Sequence, residues 1–236
     1  MRAMARIALA LAGIGAMAVL TACGGNDFAD GSADSIVKSS KDAMGGLKAV
    51  KVEGDLTTSG QAISIDLQAN SDGDCTGSLG IADGTADLLG VGGVTWMKPD
   101  EAFWRSFAGD TADQVMAVVG DKWVVVPDGE DSIKQFCDVD ELLDQLLSDT
   151  EGEKATFSKN GTDTVDGDDV VKVDREDPED GTSTGYVLVD DPHYLVKIEK
   201  TSGDDTGTVT FSAFDEEFDV SAPSDDQVVD LSSLAG

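Results

Sequence analysis

His193 is the only histidine of the chain, and histidine is the commonest general base of hydrolases and transferases. Such chemistry needs it beside a nucleophile. Its surroundings, Asp190-Asp191-Pro192-His193-Tyr194, are turn composition leading into a strand, so a turn histidine is the simpler reading. Paired carboxylates could hydrolyse glycosides, but 47 acidic residues in 236 place many pairs together by chance. Calcium is suggested by the oxygen-rich stretches Asn70-Ser71-Asp72-Gly73-Asp74 and 163–169. Both miss the EF-hand pattern: around Gly73 the first and last ligand positions are Gln68 and Leu79, and around Gly167 the first is Thr162. Gly90-Val91-Gly92-Gly93 lies between strands with no Lys-bearing helix after it, which removes a phosphate loop. The expectation is a protein that is not an enzyme and uses neither metal nor cofactor.

The cysteines point to different chemistry. Arg2 and Arg6 precede an apolar run from Ile7 to Leu20, followed by Thr21-Ala22-Cys23. A charged start, an apolar region shorter than the ~18 residues of a membrane span and small residues at a cleavage point describe a signal peptide over 1–22. Leu20-Thr21-Ala22-Cys23 resembles the lipobox of bacterial lipoproteins, which implies that Cys23 is lipidated and becomes the new N-terminus. A soluble secreted protein with a chance cysteine is the alternative. The expected location is the extracytoplasmic face of the cell membrane. Cys75 and Cys137 remain, and an even pair in an exported chain is most simply a disulfide. Two lone cysteines with one histidine lack the spacing of a metal cluster.

Removing 1–22 takes away two arginines and no acid, leaving 14 basic against 47 acidic side chains. That charge excludes nucleic acid as a partner and repels anionic lipid surfaces, so residence at the membrane rests on the Cys23 lipid. The 214 remaining residues suffice for one domain with a real core. Residues 23–33 are small and polar and suit a flexible tether; 34–236 form the body, expected to be a monomer.

Two periodicities divide that body. Ile36, Val37, Ala43, Met44 and Leu47 share a helical face that ends at Gly45-Gly46. Period two follows in Val50/Val52/Leu56, Ile63/Ile65/Leu67/Ala69, Leu79/Ile81, 86–91 and 94–98, until Pro99. From Asp100 to Leu147 the pattern is helical, apart from an apolar strand at 122–126. Asp138 and Glu141 have capping-box spacing ahead of Val139, Leu142, Leu143, Leu146 and Leu147. Period two returns in Ala155/Phe157, Val170/Val171/Val173, 186–189, Tyr194/Val196/Ile198, Val209/Phe211/Ala213 and Phe218/Val220. About ten strands with helices at the start and middle predict an α+β domain, one long antiparallel sheet whose concave face the helices cover.

All three tryptophans, Trp96, Trp104 and Trp123, fall close in sequence to Phe103, Phe107 and Met116. An ordinary core beneath helices accounts for them. So does an apolar cavity with an aromatic mouth, left where the helices do not fill the curved sheet.

Several phrases together resemble the actinobacterial lipoproteins related to the mycobacterial lipid-binding LppX/LprG type, and more distantly the periplasmic lipoprotein carrier LolA. They are Gly73-Asp74-Cys75-Thr76-Gly77, Trp96-Met97-Lys98-Pro99 with Ala102-Phe103-Trp104, Gly120-Asp121-Lys122-Trp123-Val124, Phe136-Cys137, Asp190-Pro192-His193-Tyr194-Leu195 and Ala222-Pro223, in addition to the lipobox. The resemblance implies a single strongly curved antiparallel half-barrel wrapped around helices, with an apolar cavity for the acyl chains of a lipid or acylated ligand, carried or presented in the envelope. Trp96, Phe103, Trp104 and Trp123 are expected at that cavity. The competing function is a scaffold lipoprotein with a filled core whose acidic surface meets a partner.

Overall fold

The computed structural model describes residues 27–127, 131–147, 155–178, 181–203 and 205–231. The signal peptide and Cys23 lie outside the described residues. After α1 (Ala33–Met44) come five strands, β1 (Ala49–Thr58), β2 (Gln61–Asn70), β3 (Cys75–Ile81), β4 (Gly84–Val91) and β5 (Val94–Pro99). A helical stretch follows: α2 (Glu101–Ala108), α3 (Ala112–Val119), the short β6 (Trp123–Val125), the single turn α4 (Asp131–Lys134) and α5 (Val139–Leu147). The last strands are β7 (Thr156–Val165), β8 (Asp168–Asp177), β9 (Gly181–Leu188), β10 (Leu195–Lys200), β11 (Asp205–Ser212) and β12 (Val228–Val229).

All twelve join one curved, unclosed sheet in the order β12-β6-β5-β4-β3-β2-β1-β11-β10-β9-β8-β7. Each half is a meander of neighbouring hairpins. The halves meet where β1 pairs with β11, Val52 opposite Phe211 and Leu56 opposite Gly207. The sheet is mostly antiparallel, as its hairpins require, but β12 runs parallel to β6. Phe218 and Val220 form no strand; the chain is irregular there and reaches the sheet only at Val228. β7 is an outer strand with an exposed, polar sequence, shifted in register between Lys159 and Thr162. A polar, irregular edge of this kind discourages pairing with a second chain.

Local chemistry sets the helix ends. The Ser32 hydroxyl accepts from the Ser35 N–H at 3.2 Å to start α1, and the Gly45 N–H closes it on the Lys41 carbonyl at 2.9 Å. Asp138 Oδ1 accepts from the Asp140 and Glu141 N–H groups at 2.9 and 3.1 Å and starts α5. Half of the expected capping box is therefore present, since the Asp138 N–H donates to the Gln135 carbonyl instead.

The main core lies between the sheet and the ends of α1 and α5, with Met44, Leu47, Val50, Val52, Leu67, Val139, Leu142 and Phe211 buried. Cys75 of β3 and Cys137, just ahead of α5, are joined, with Cα atoms 4.9 Å apart. Gly90 of β4 makes room for the bond, because a Cβ there would sit 3.0 Å from both sulfurs. The disulfide thus fastens α5 to the sheet. A second cluster, Ile36 with Val171, Val173, Val187 and Val189, holds the start of α1 on β8 and β9. Phe28, Ala29 and Ala33 pack against that cluster. Phe28 stacks on His193 with ring centroids 3.6 Å apart, and Lys159 Nζ donates to the Ala29 carbonyl at 2.9 Å. The tether expected over 23–33 is therefore docked from residue 28 onward, because an aromatic ring in its middle gains more by burial than the chain loses by ordering.

Candidate functional site

Residues directly opposite one another in paired strands face the same side of a sheet. Across β8, β9, β10 and β11 this places Val173, Gly185, Ile198 and Val209 in one transverse row. Two residues further along the strands, Arg175, Ser183, Lys200 and Gly207 form the next, and it continues to Phe157 of β7 and Leu56 of β1. Both rows line a cavity of about 320 Å³. Its roof is Val37, Ser40, Lys41 and Met44, at helical spacing on α1, together with Leu146 and Leu147 at the end of α5. Half-buried Leu56, Phe157, Leu195 and Ile198 expose apolar surface to it.

The hollow has a physical cause. Side chains in these rows would fill the space under α1, but two of the floor positions are glycines. At Gly207 the backbone has φ +145°, and a Cβ would lie 2.2 Å from the Asp55 carbonyl oxygen, so only glycine fits. At Gly185 a Cβ would meet only the Leu195 Cδ1 at 3.3 Å and the Val173 carbonyl oxygen at 3.8 Å. The volume is at the lower end of the ~300–1,000 Å³ typical of ligand pockets. Three cations, Lys41, Arg175 and Lys200, stand at its polar row. Arg175 donates to the buried Asp177 at 2.6 Å, and Lys200 lies 3.8 Å from Asp205.

None of Trp96, Phe103, Trp104 and Trp123 lines this cavity. They gather at the other end of the sheet, a correction to the expected aromatic mouth. Trp96 of β5 is buried opposite Val125 of β6, and Trp123 pairs with Val228 of β12. Phe103 is buried where α2 crosses β4 and stacks on Phe107 at 4.4 Å. Gly84 permits that crossing, since a Cβ there would come within 2.3 Å of the Phe103 backbone nitrogen. Trp96 and Phe103 are thus buried, and Trp104 and Trp123 half-buried. His193 is occupied as a turn residue: its ring stacks on Phe28, and Nδ1 lies 3.3 Å from the Leu188 carbonyl oxygen. Among the described residues no group of His, Cys, Asp or Glu is arranged to hold a metal.

On the outer face of the same strands, the Tyr186 hydroxyl donates to Glu199 in a short hydrogen bond, with Lys197 over the Tyr186 ring at 4.6 Å. The carboxylate beside it, with burial, pushes the phenol up to about 12. Glu199 is lowered in turn, chiefly by the Lys197 ammonium.

LprF from Mycobacterium bovis superposes on this sheet and its helices with a TM-score of 0.56 at 17% identity, over 82% of this chain and 100% of LprF. The chain has the fold of LprF. The lipoprotein LppX of Mycobacterium tuberculosis aligns over 79% of this chain and 97% of its own, at 16% identity and a TM-score of 0.44. No family model and no curated protein matches the sequence. In this LprF-like fold the cavity sits under α1, where β1 and β11 join the two meanders. Sequence reading missed it because its lining comes from both ends of the chain. The available clue was a lone glycine inside each of two strand patterns, Thr184-Gly185-Tyr186 and Thr206-Gly207-Thr208.

Proposed function

We propose that this protein is a non-enzymatic lipoprotein, held on the extracytoplasmic face of the cell membrane by a lipid on Cys23, that shelters acyl chains of a lipid or acylated ligand and carries or presents them in the envelope. The observation that carries this reading is the apolar cavity between α1, α5 and strands β8–β11. A scaffold with a filled core has no use for bare glycines and half-exposed Ile198, Leu195 and Phe157 beneath a helix. With ~30 Å³ as the share of one water-sized group, about 320 Å³ takes on the order of ten methylenes. At ~0.8 kcal/mol each, burying them supplies roughly 8 kcal/mol before the costs of association. The protein works as a monomer by burial, with no bond made or broken.

Native mass spectrometry of the protein purified from its own membrane tests the reading, together with uptake of a fluorescent fatty-acid analogue by delipidated protein. The expected results are a co-purifying acylated species and saturable uptake. Their joint absence refutes the carrier reading and favours the scaffold. The probe's own emission is the proper readout, because the tryptophans are remote from the cavity.

A further inference from the structure

The two ends of the strands differ in what is fastened to them. At one end lie the β9–β10 loop, residues 189–194, and the β7–β8 turn at Asp166-Gly167. The chain ahead of α1 docks here. Phe28 stacks face to face on His193 of the loop, with 3.6 Å between ring centroids and 1° between ring planes. Ala29 lies beside Thr164, Asp169 and Val189. The Gly31 N–H donates to the Phe28 carbonyl at 3.0 Å and closes the turn that leads into the Ser32 cap of α1. A side chain at Gly31 would crowd that turn, since a Cβ would come 2.9 Å from Ser35 Oγ and 3.0 Å from the Phe28 carbonyl oxygen. At the other end is the β1–β2 turn, Ser59-Gly60, with the starts of β9 and β11. The cavity row of Arg175, Ser183, Lys200 and Gly207 belongs to that end.

From Leu195 to Lys200 along β10, the path between the two ends is ~17 Å at ~3.3 Å per residue. Phe28 is the fifth residue after Cys23 and Ala33 the tenth. At ~3.6 Å per extended residue, the reach from Cys23 is at most ~18 Å to Phe28 and ~36 Å to Ala33. A tether loose as far as α1 would let either end of the strands meet the bilayer. Docked at Phe28, it ties the His193 end nearest. Exposed Asp190 and Asp191 at that end are repelled by anionic headgroups. The ~18 Å reach is about two Debye lengths at physiological salt, so the loop can stand off the surface while strapped to it. We propose that residues 28–32 are a strap that holds the β9–β10 loop toward the bilayer and turns the far row of the cavity outward, so that the cavity is presented to the envelope. This orientation rests on the Cys23 lipid anchor proposed above.

Quenching in vesicles tests it. The mature lipidated protein is reconstituted with lipids that carry a nitroxide on the headgroup, and flotation reads anchoring. A bimane label is placed on Asp190→Cys or on Gln61→Cys, both exposed and at opposite strand ends. Quenching at position 190 should exceed that at position 61 severalfold. Phe28→Ala removes the stack and Gly31→Val crowds the turn, so the docking is broken by two different means. Each should bring the two labels toward equal quenching and leave uptake of a fluorescent fatty-acid analogue unchanged, since neither residue lines the cavity. Equal quenching with Phe28 and Gly31 in place, or stronger quenching at position 61, overturns the orientation. A difference that survives both variants overturns the strap, because something else then holds the body. Protein that does not float with the vesicles overturns the proposal together with the Cys23 anchor.

Discussion

Filling the cavity from its floor should destroy binding while sparing the fold. Gly185 is the position for this, because it stands between Val173 and Ile198 on the floor and a Cβ there meets Leu195 Cδ1 at 3.3 Å and Val173 O at 3.8 Å. The first is the flexible end of a side chain and gives way. Gly185→Leu adds four carbons to a space of about 320 Å³ and displaces as many methylenes of any bound chain. At ~0.8 kcal/mol per methylene the loss is about 3 kcal/mol, or roughly a hundredfold in Kd. Folding stability should change by no more than ~1 kcal/mol, since the new side chain enters empty space and replaces a residue that weakens a strand interior. In a filled core the same change would cost ~1–3 kcal/mol by overpacking. Displacement of a fluorescent fatty-acid analogue reads the first quantity, and the urea midpoint the second. A stable variant with unchanged affinity would show that the chain does not lie there. A strongly destabilised one would show that there is no space to fill.

Cys23→Ala should release the protein from membranes; persistence in the membrane fraction after a high-salt wash would refute lipid anchoring. The bond between Cys75 and Cys137 closes a loop of 62 positions, so replacing both with Ala should lower unfolding free energy by ~2–5 kcal/mol. Because that bond fastens α5, whose Leu146 and Leu147 roof the cavity, affinity for the fatty-acid probe should fall as well; unchanged stability and affinity would contradict both points. Tyr186 should ionise at about 12 in an ultraviolet titration, and Glu199→Gln should bring it down toward 10. A phenol whose pKa is raised on folding adds stability that is present at lower pH and is lost as pH rises from the unfolded value of ~10 through the folded one. Ordinary titration of Tyr186 in the folded protein would refute the Glu199 pairing.

Sequence alone determined what local rules determine. Gly45 ends α1 and Asp138 starts α5, because caps are satisfied within three or four residues of themselves, whereas the Ser32 cap was visible only in the structure. Alternation fixed β1–β5 and most of β8–β11, because the period of two needs only a half-buried face. The cysteine pairing followed from having two candidates left. Tertiary structure decided the rest. Phe218 and Val220 alternate like a strand yet find no edge to pair with, whereas Val228-Val229 does. β7 has too little apolar patterning to be read over 158–165 and becomes a strand because β8 offers it partners. Of the aromatic cluster, compact in sequence, Trp96 and Phe103 are core, the latter because Gly84 lets α2 press it onto β4, while Phe107 is left exposed. The cavity belongs to residues as distant as Val37 and Val209, brought together when β1 pairs with β11. Periodicity says which face of a strand is apolar, but only the packing of helices on the whole sheet says where that face is left uncovered.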